Sequence, residues 1–144
     1  MFRPSYEPGS YLAFLGRLTA DKGPEDAIRI ARAAQMPLRI AAKIPRAETA
    51  YFKNKLEPNI DGQTVQLVGE VDDAKKQPFL ANAAGLLFPI NWPEPFGLVM
   101  IEAMACGTPV ISATGSPRST SRRKGMRPAT RLQRAQSSII TRLA

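Results

Sequence analysis

Residues 93–109, Pro-Glu-Pro-Phe-Gly-Leu-Val-Met-Ile-Glu-Ala-Met-Ala-Cys-Gly-Thr-Pro, narrow sharply what this chain can build. Pro93, Pro95 and Gly97 make a tight loop, Leu98 opens an apolar run of helical length, and Gly107-Thr108-Pro109 ends it before the strand Val110-Ile111-Ser112. A loop that feeds a helix start presents backbone N–H groups with no intrahelical partner. The helix macrodipole there favours an anionic or hydroxyl-rich ligand. Two carboxylates bracket the turn: Glu94 before the helix and Glu102 eight positions later. That spacing is roughly 10 Å along a helix axis, too far for acid and base acting on one bond and suited to two contacts on one long ligand.

Upstream, the chain alternates strand and helix. Residues 11–15, Tyr-Leu-Ala-Phe-Leu, have the length and composition of a strand. Gly16-Arg17-Leu18-Thr19-Ala20-Asp21-Lys22-Gly23 follows as a loop, and then Pro24, a favoured first helical residue, with Glu25 and Asp26 in the first turn. Ala27, Ile28, Ala31 and Ala34 recur at helical spacing and should face a sheet. Residues 38–42 predict the second strand. A helix over 46–56 with Ala47, Ala50, Tyr51 and Leu56 on one side should end before Pro58, and residues 65–68 predict the third strand. Pro78 interrupts the next helical segment, which is therefore predicted to start at Pro78, with Lys75-Lys76 on a solvated face. Residues 85–90, Gly-Leu-Leu-Phe-Pro-Ile, read as a strand buried on both faces. The alternation predicts an α/β fold, a doubly wound parallel sheet, with Arg17, Lys22, Glu94, Gly97 and Glu102 along one rim where such sheets bind ligands.

The motif Glu94-Pro95-Phe96-Gly97 followed by Glu102-Ala103-Met104-Ala105-Cys106-Gly107-Thr108-Pro109-Val110 closely resembles the E-x7-E signature of glycosyltransferase family 4. These are retaining, nucleotide-sugar-dependent transferases of GT-B fold. Gly16-Arg17-Leu18 with Lys22-Gly23 resembles the family's G-R-L-x-x-x-K-G motif. The resemblance implies that this is the C-terminal, Rossmann-like donor domain. It assigns the donor sugar to Glu94 and the backbone behind it at Phe96, Gly97 and Leu98, and the ribose hydroxyls to Glu102. Val71, at the exit of the third strand, lies where the family places the base. Arg17 and Lys22 would neutralise the donor diphosphate as it leaves, so the expected catalytic set is Glu94, Arg17 and Lys22, without a metal or cofactor. Family habit makes the donor a UDP-sugar and leaves the acceptor open. Trp92 either stacks on a ligand or packs the loop.

Composition bounds the rest. A GT-B enzyme needs two Rossmann-like halves, and 144 residues supply one domain at most. The expectation is a fragment, inactive without an acceptor domain. One cysteine and no histidine exclude an internal disulfide and argue against a metal site of the usual kind. No apolar run is long enough to span a membrane and the start resembles no signal peptide, so the expected location is cytoplasmic. The formal charge of +8 resides wholly in residues 113–144, which carry eight of the 20 basic residues and none of the 12 acidic ones. The expected domains are a linker remnant over 1–10, the donor-binding domain over 11–112, and a basic tail over 113–144 whose composition predicts disorder. Back-translation one frame over is compatible with the family's missing Pro-Glu segment, so a frameshift origin for the tail is a further expectation. Two alternatives follow: an inert product of a damaged gene, or a basic nucleic-acid-binding protein. The second lacks aromatic residues interleaved with the tail's cations.

Overall fold

A computed structural model describes residues 4–5, 9–90 and 97–112; the Pro93–Phe96 part of the loop, Trp92 and the basic tail lie outside the described residues. Among the described residues the sheet has five parallel strands in the order β3-β2-β1-β4-β5. They are β1 (Tyr11–Arg17), β2 (Leu38–Lys43), β3 (Val65–Gly69), β4 (Ala83–Phe88) and β5 (Val110–Ser112). The chain order folds back on both sides of β1, as a doubly wound sheet requires. In register, Leu12 sits beside Leu38, Ile40 beside Leu67, and Leu86 beside Val110.

Alternation along each strand divides the apolar residues between two faces. Leu12, Phe14, Leu38, Ile40, Ala42, Val65 and Leu87 pack with Ala27, Ile28 and Ala31 of helix α1 (Pro24–Ala33) and with Leu56. Leu56 belongs to an irregular helical segment over 46–59 that includes one turn of α-helix, α2 (Thr49–Tyr51). The other face gathers Tyr11, Ala13, Ala41, Ala83 and Leu86 under Phe79 and Leu80 of α3 (Asp73–Ala81) and Ala103 of α4 (Leu98–Ala105). Leu98, Ile101 and Met104 of α4 are exposed at 67%, 56% and 58%, an apolar stripe at three-residue spacing. No helix among the described residues is long and apolar enough to cross a membrane.

Several boundaries differ from the sequence reading: β1, β2 and β3 each run one or two residues past the expected end, and three further differences have a clear local cause. The helical segment expected to stop before Pro58 continues to Asn59, because Pro58 falls in the first turn of a new 3-10 helix, where no backbone donor is required. β4 runs over Ala83–Phe88 and not 85–90: it pairs with β1 from Tyr11 opposite Ala83, and Pro89 has no N–H to carry the ladder on. α3 begins at Asp73 and contains Pro78. Asp72 caps it, its side chain accepting from the Lys75 N–H at 2.9 Å while its carbonyl accepts from the Lys76 N–H at 2.9 Å. A capped start compensates for the one intrahelical donor that Pro78 lacks. Within the stretch expected to be a linker, the Ser5 N–H donates to the Cys106 carbonyl at 3.0 Å.

Candidate functional site

The C-terminal ends of β1, β2, β3 and β4 open onto two adjoining crevices that share Leu15, Gly16 and Val99. The first, about 250 Å³, is lined by Lys22 together with Gly97, Leu98, Phe88 and Ile90. The second, about 360 Å³, holds Arg17, Val71 and Glu102, along with Lys43, Glu70 and Lys76. Of the residues singled out in the sequence, Lys22, Gly97 and Leu98 meet in one crevice, and Arg17, Val71 and Glu102 in the other. Glu94 and Phe96 lie outside the described residues.

Local backbone chemistry places these groups. Arg17 is the last residue of β1, opposite Lys43 at the end of β2. A 3-10 turn (Ala20–Lys22) carries Lys22 and ends at Gly23, which adopts the left-handed conformation (φ 70°, ψ 38°) and opens α1. A Cβ on Gly23 would lie 2.2 Å from the Pro89 carbonyl oxygen. Only glycine therefore lets the β1–α1 loop, with Lys22, lie against the exit of β4. Gly97 is also left-handed (φ 48°, ψ 42°) and turns the chain into α4, its carbonyl accepting from the Met100 N–H at 2.8 Å. Val71 packs partly buried against Phe79 and its neighbours while it lines the crevice beside Glu102, so it serves the core and the rim together.

Lys76, which the sequence reading put on a solvated face, lies against Glu102 in the second crevice instead. Its Nζ lies 3.2 Å from Glu102 Oε1 and 3.2 Å from Asp73 Oδ1, with only 20% of the side chain exposed. Burial lowers the Lys76 pKa, but hydrogen bonds to Asp73 and Glu102 outweigh it and the net shift is upward, so the ammonium stays charged at neutral pH. A Lys-Lys pair in a polar run gives no sign of this. The signal lay in the Asp72 cap, which fixes where the helix starts and hence which lysine turns inward. Cys106 is fully buried, and burial, then the Glu102 charge, push its thiol pKa up, so it is a packing residue and not a nucleophile near neutrality.

Comparison with known proteins bears on the family and the fold. Residues 9–130 match the family model described as Glycosyl transferases group 1, a span that runs past the expected limit at Ser112. A phosphatidyl-myo-inositol mannosyltransferase of Propionibacterium freudenreichii subsp. shermanii is 31% identical over 102 residues, covering 71% of this chain and 25% of that protein. A D-inositol 3-phosphate glycosyltransferase of Kribbella flavida is 35% identical over 121 residues, covering 74% and 28%. The chain thus spans about a quarter of the length of these curated relatives. Among solved structures, AviGT4, a glycosyltransferase involved in avilamycin A biosynthesis, superposes with a TM-score of 0.67 at 28% identity, covering 77% of this chain and 35% of that one. Anabaena HepE, in complex with UDP and glucose, superposes at 0.60 with 26% identity, covering 72% and 29%.

Proposed function

The chain belongs to the Glycosyl transferases group 1 family, and on that premise we propose that residues 11–112 are the donor-binding half of a retaining family 4 enzyme that takes a nucleoside-diphosphate sugar, UDP-sugar first among them. The observation that carries this is the pair of connected crevices on one rim: Lys22, Gly97 and Leu98 in one, Arg17, Val71 and Glu102 in the next. One elongated ligand spans both. Glu102 takes the ribose hydroxyls and Val71 lies beside the base. Arg17 and Lys22 meet the diphosphate, with fixed cations in place of a metal. Glu94, with Phe96, Gly97 and Leu98, serves the sugar. The bound UDP in the HepE structure supports the choice of nucleotide. Charge develops on the departing diphosphate, and cations already held at the rim stabilise it without reorganising.

Transfer in this reading needs an acceptor domain from elsewhere in a longer protein, and the isolated chain binds donor without turning it over; the whole acts in the cytoplasm. Calorimetry with UDP and with uridine tests the assignment. Replacing Arg17 and Lys22 together by alanine should abolish the preference for UDP over uridine. Glu102→Ala should weaken UDP by about 10- to 100-fold, as loss of a charged hydrogen bond does, and Glu94→Ala should leave UDP nearly unchanged. Equal losses of UDP and uridine in the double variant would make the loop merely structural.

A further inference from the structure

We propose that Lys76 is a positioning residue for nucleoside recognition: it holds the Glu102 carboxylate in the orientation that receives the ribose hydroxyls. The inference rests on the donor-site reading above and adds a residue to it. Lys76 and Glu102 are 26 positions apart on different helices, and the 3.2 Å contact between Nζ and Oε1 ties α3 to α4. Both side chains are mostly covered, 20% and 24% exposed, and both line the crevice that holds Arg17 and Val71. The nearby Lys43–Glu70 pair is a useful contrast, at 3.9 Å with both side chains about 70% exposed. Water screens that second pair and the first much less.

A glutamate has several soft torsions, and losing rotamer freedom on binding costs affinity. Lys76 removes that freedom in advance. With Oε1 committed to Lys76, the remaining lone pairs of the carboxylate, above all those of Oε2, are left for a ligand hydroxyl. Lys76 is itself fixed, because its backbone N–H donates to the Asp72 carbonyl at 2.9 Å in the capped first turn of α3, and Asp73 takes a second Nζ contact.

The test is calorimetry on the full 144-residue chain with UDP and with the dideoxy analogue that lacks both ribose hydroxyls. Lys76→Met should weaken UDP about tenfold, a coupling of ordinary size for contacting residues, and leave the dideoxy analogue unchanged, so that discrimination between the two collapses. Lys76→Arg should restore most of it, and Lys76→Met in a Glu102→Ala background should add nothing. Lys76→Gln serves the same comparison should the methionine variant not fold. Equal losses of both nucleotides, or none, would overturn the positioning role while leaving the donor site standing. Failure of the unmodified chain to bind UDP, or no effect of Glu102→Ala, would overturn the donor site and this inference with it.

Discussion

The two faces of the sheet solve different problems. The α1 face is built from large aliphatic residues, with Leu12, Leu38, Ile40, Leu56 and Leu87 all at 1% exposure or less. The α3/α4 face is built around small ones: Ala13, Ala41, Ala83 and Ala103 are buried there with Cys106. Small residues bring the helices close to the strands but bury less apolar area, and directional bonds make up part of the difference. The Tyr11 hydroxyl donates to the Phe79 carbonyl at 2.6 Å, and the Thr108 hydroxyl to the Leu80 carbonyl at 2.6 Å. Both bonds hold α3, the helix that carries Lys76. One face supplies bulk stability, and the other sets the position of two helices to within the length of an ion pair.

If that division is right, the largest loss of stability comes from truncation on the α1 face. Ile40→Ala should cost about 2 to 5 kcal/mol, read by denaturant unfolding, and leave the UDP affinity of the remaining folded molecules intact. The α3/α4 face should resist enlargement instead. Ala103→Leu has no space to enter, since Ala103 is fully buried, and should cost about 1 to 3 kcal/mol while displacing α4 and lowering UDP affinity through its neighbour Glu102. Equal effects of the two substitutions on nucleotide binding would break the comparison. A finer test is Thr108→Val, which keeps the shape and removes the bond to Leu80; about 1 to 2 kcal/mol is expected. The nucleotide affinity should fall with it if the bond positions α3 and stay constant if it only stabilises.

The faces also differ in how far the sequence reveals them. Strand order and the α1 face follow from apolar runs, from Pro24 at a helix start, and from Ala27, Ile28 and Ala31 at helical spacing, all local signals. The rim positions of Arg17, Lys22, Gly97 and Glu102 are equally legible, because motif spacing after a strand places them there. The start of α3 is not. Pro78 is a strong local breaker, and only the hydrogen bonds of Asp72 and the packing of Phe79 and Leu80 outweigh it. Lys76 was obscured for the same reason, since its direction depends on the phase of that helix. The role of Gly23 was likewise invisible, because its neighbour Pro89 is distant in sequence and becomes close only when β4 lies beside β1.

The smallest effect vanishes at neutral pH and appears only in alkali. Burial, followed by the charge of Glu102, raises the pKa of Cys106 above its ordinary 9.0. Burial raises that of Tyr11 above 10.0, partly offset by the charge of Arg39 and its hydrogen bond, the guanidinium lying 4.3 Å from the ring centre. A group whose pKa is higher in the folded state than in the unfolded one stabilises fully below its unfolded pKa and loses that contribution as pH rises through the folded value. Stability should therefore be flat near neutrality and decline from about pH 9, by at most about 1.4 kcal/mol per pH unit for each group. Tyr51, on the α1 side, is also shifted upward, by burial first and then by its hydrogen bond to Glu25 and the charges of Glu25, Glu48 and Asp26. Its contribution begins to be lost with that of Tyr11, at the unfolded phenol pKa of about 10. Unfolding midpoints measured across this range should show a later onset of the decline in Cys106→Ala, whose thiol has the lowest unfolded pKa, and a shallower decline above about pH 10 in Tyr11→Phe and in Tyr51→Phe. An onset left unmoved by Cys106→Ala would mean that the thiol under α4 ionises without cost to packing, and that the α3/α4 face is not the first to yield.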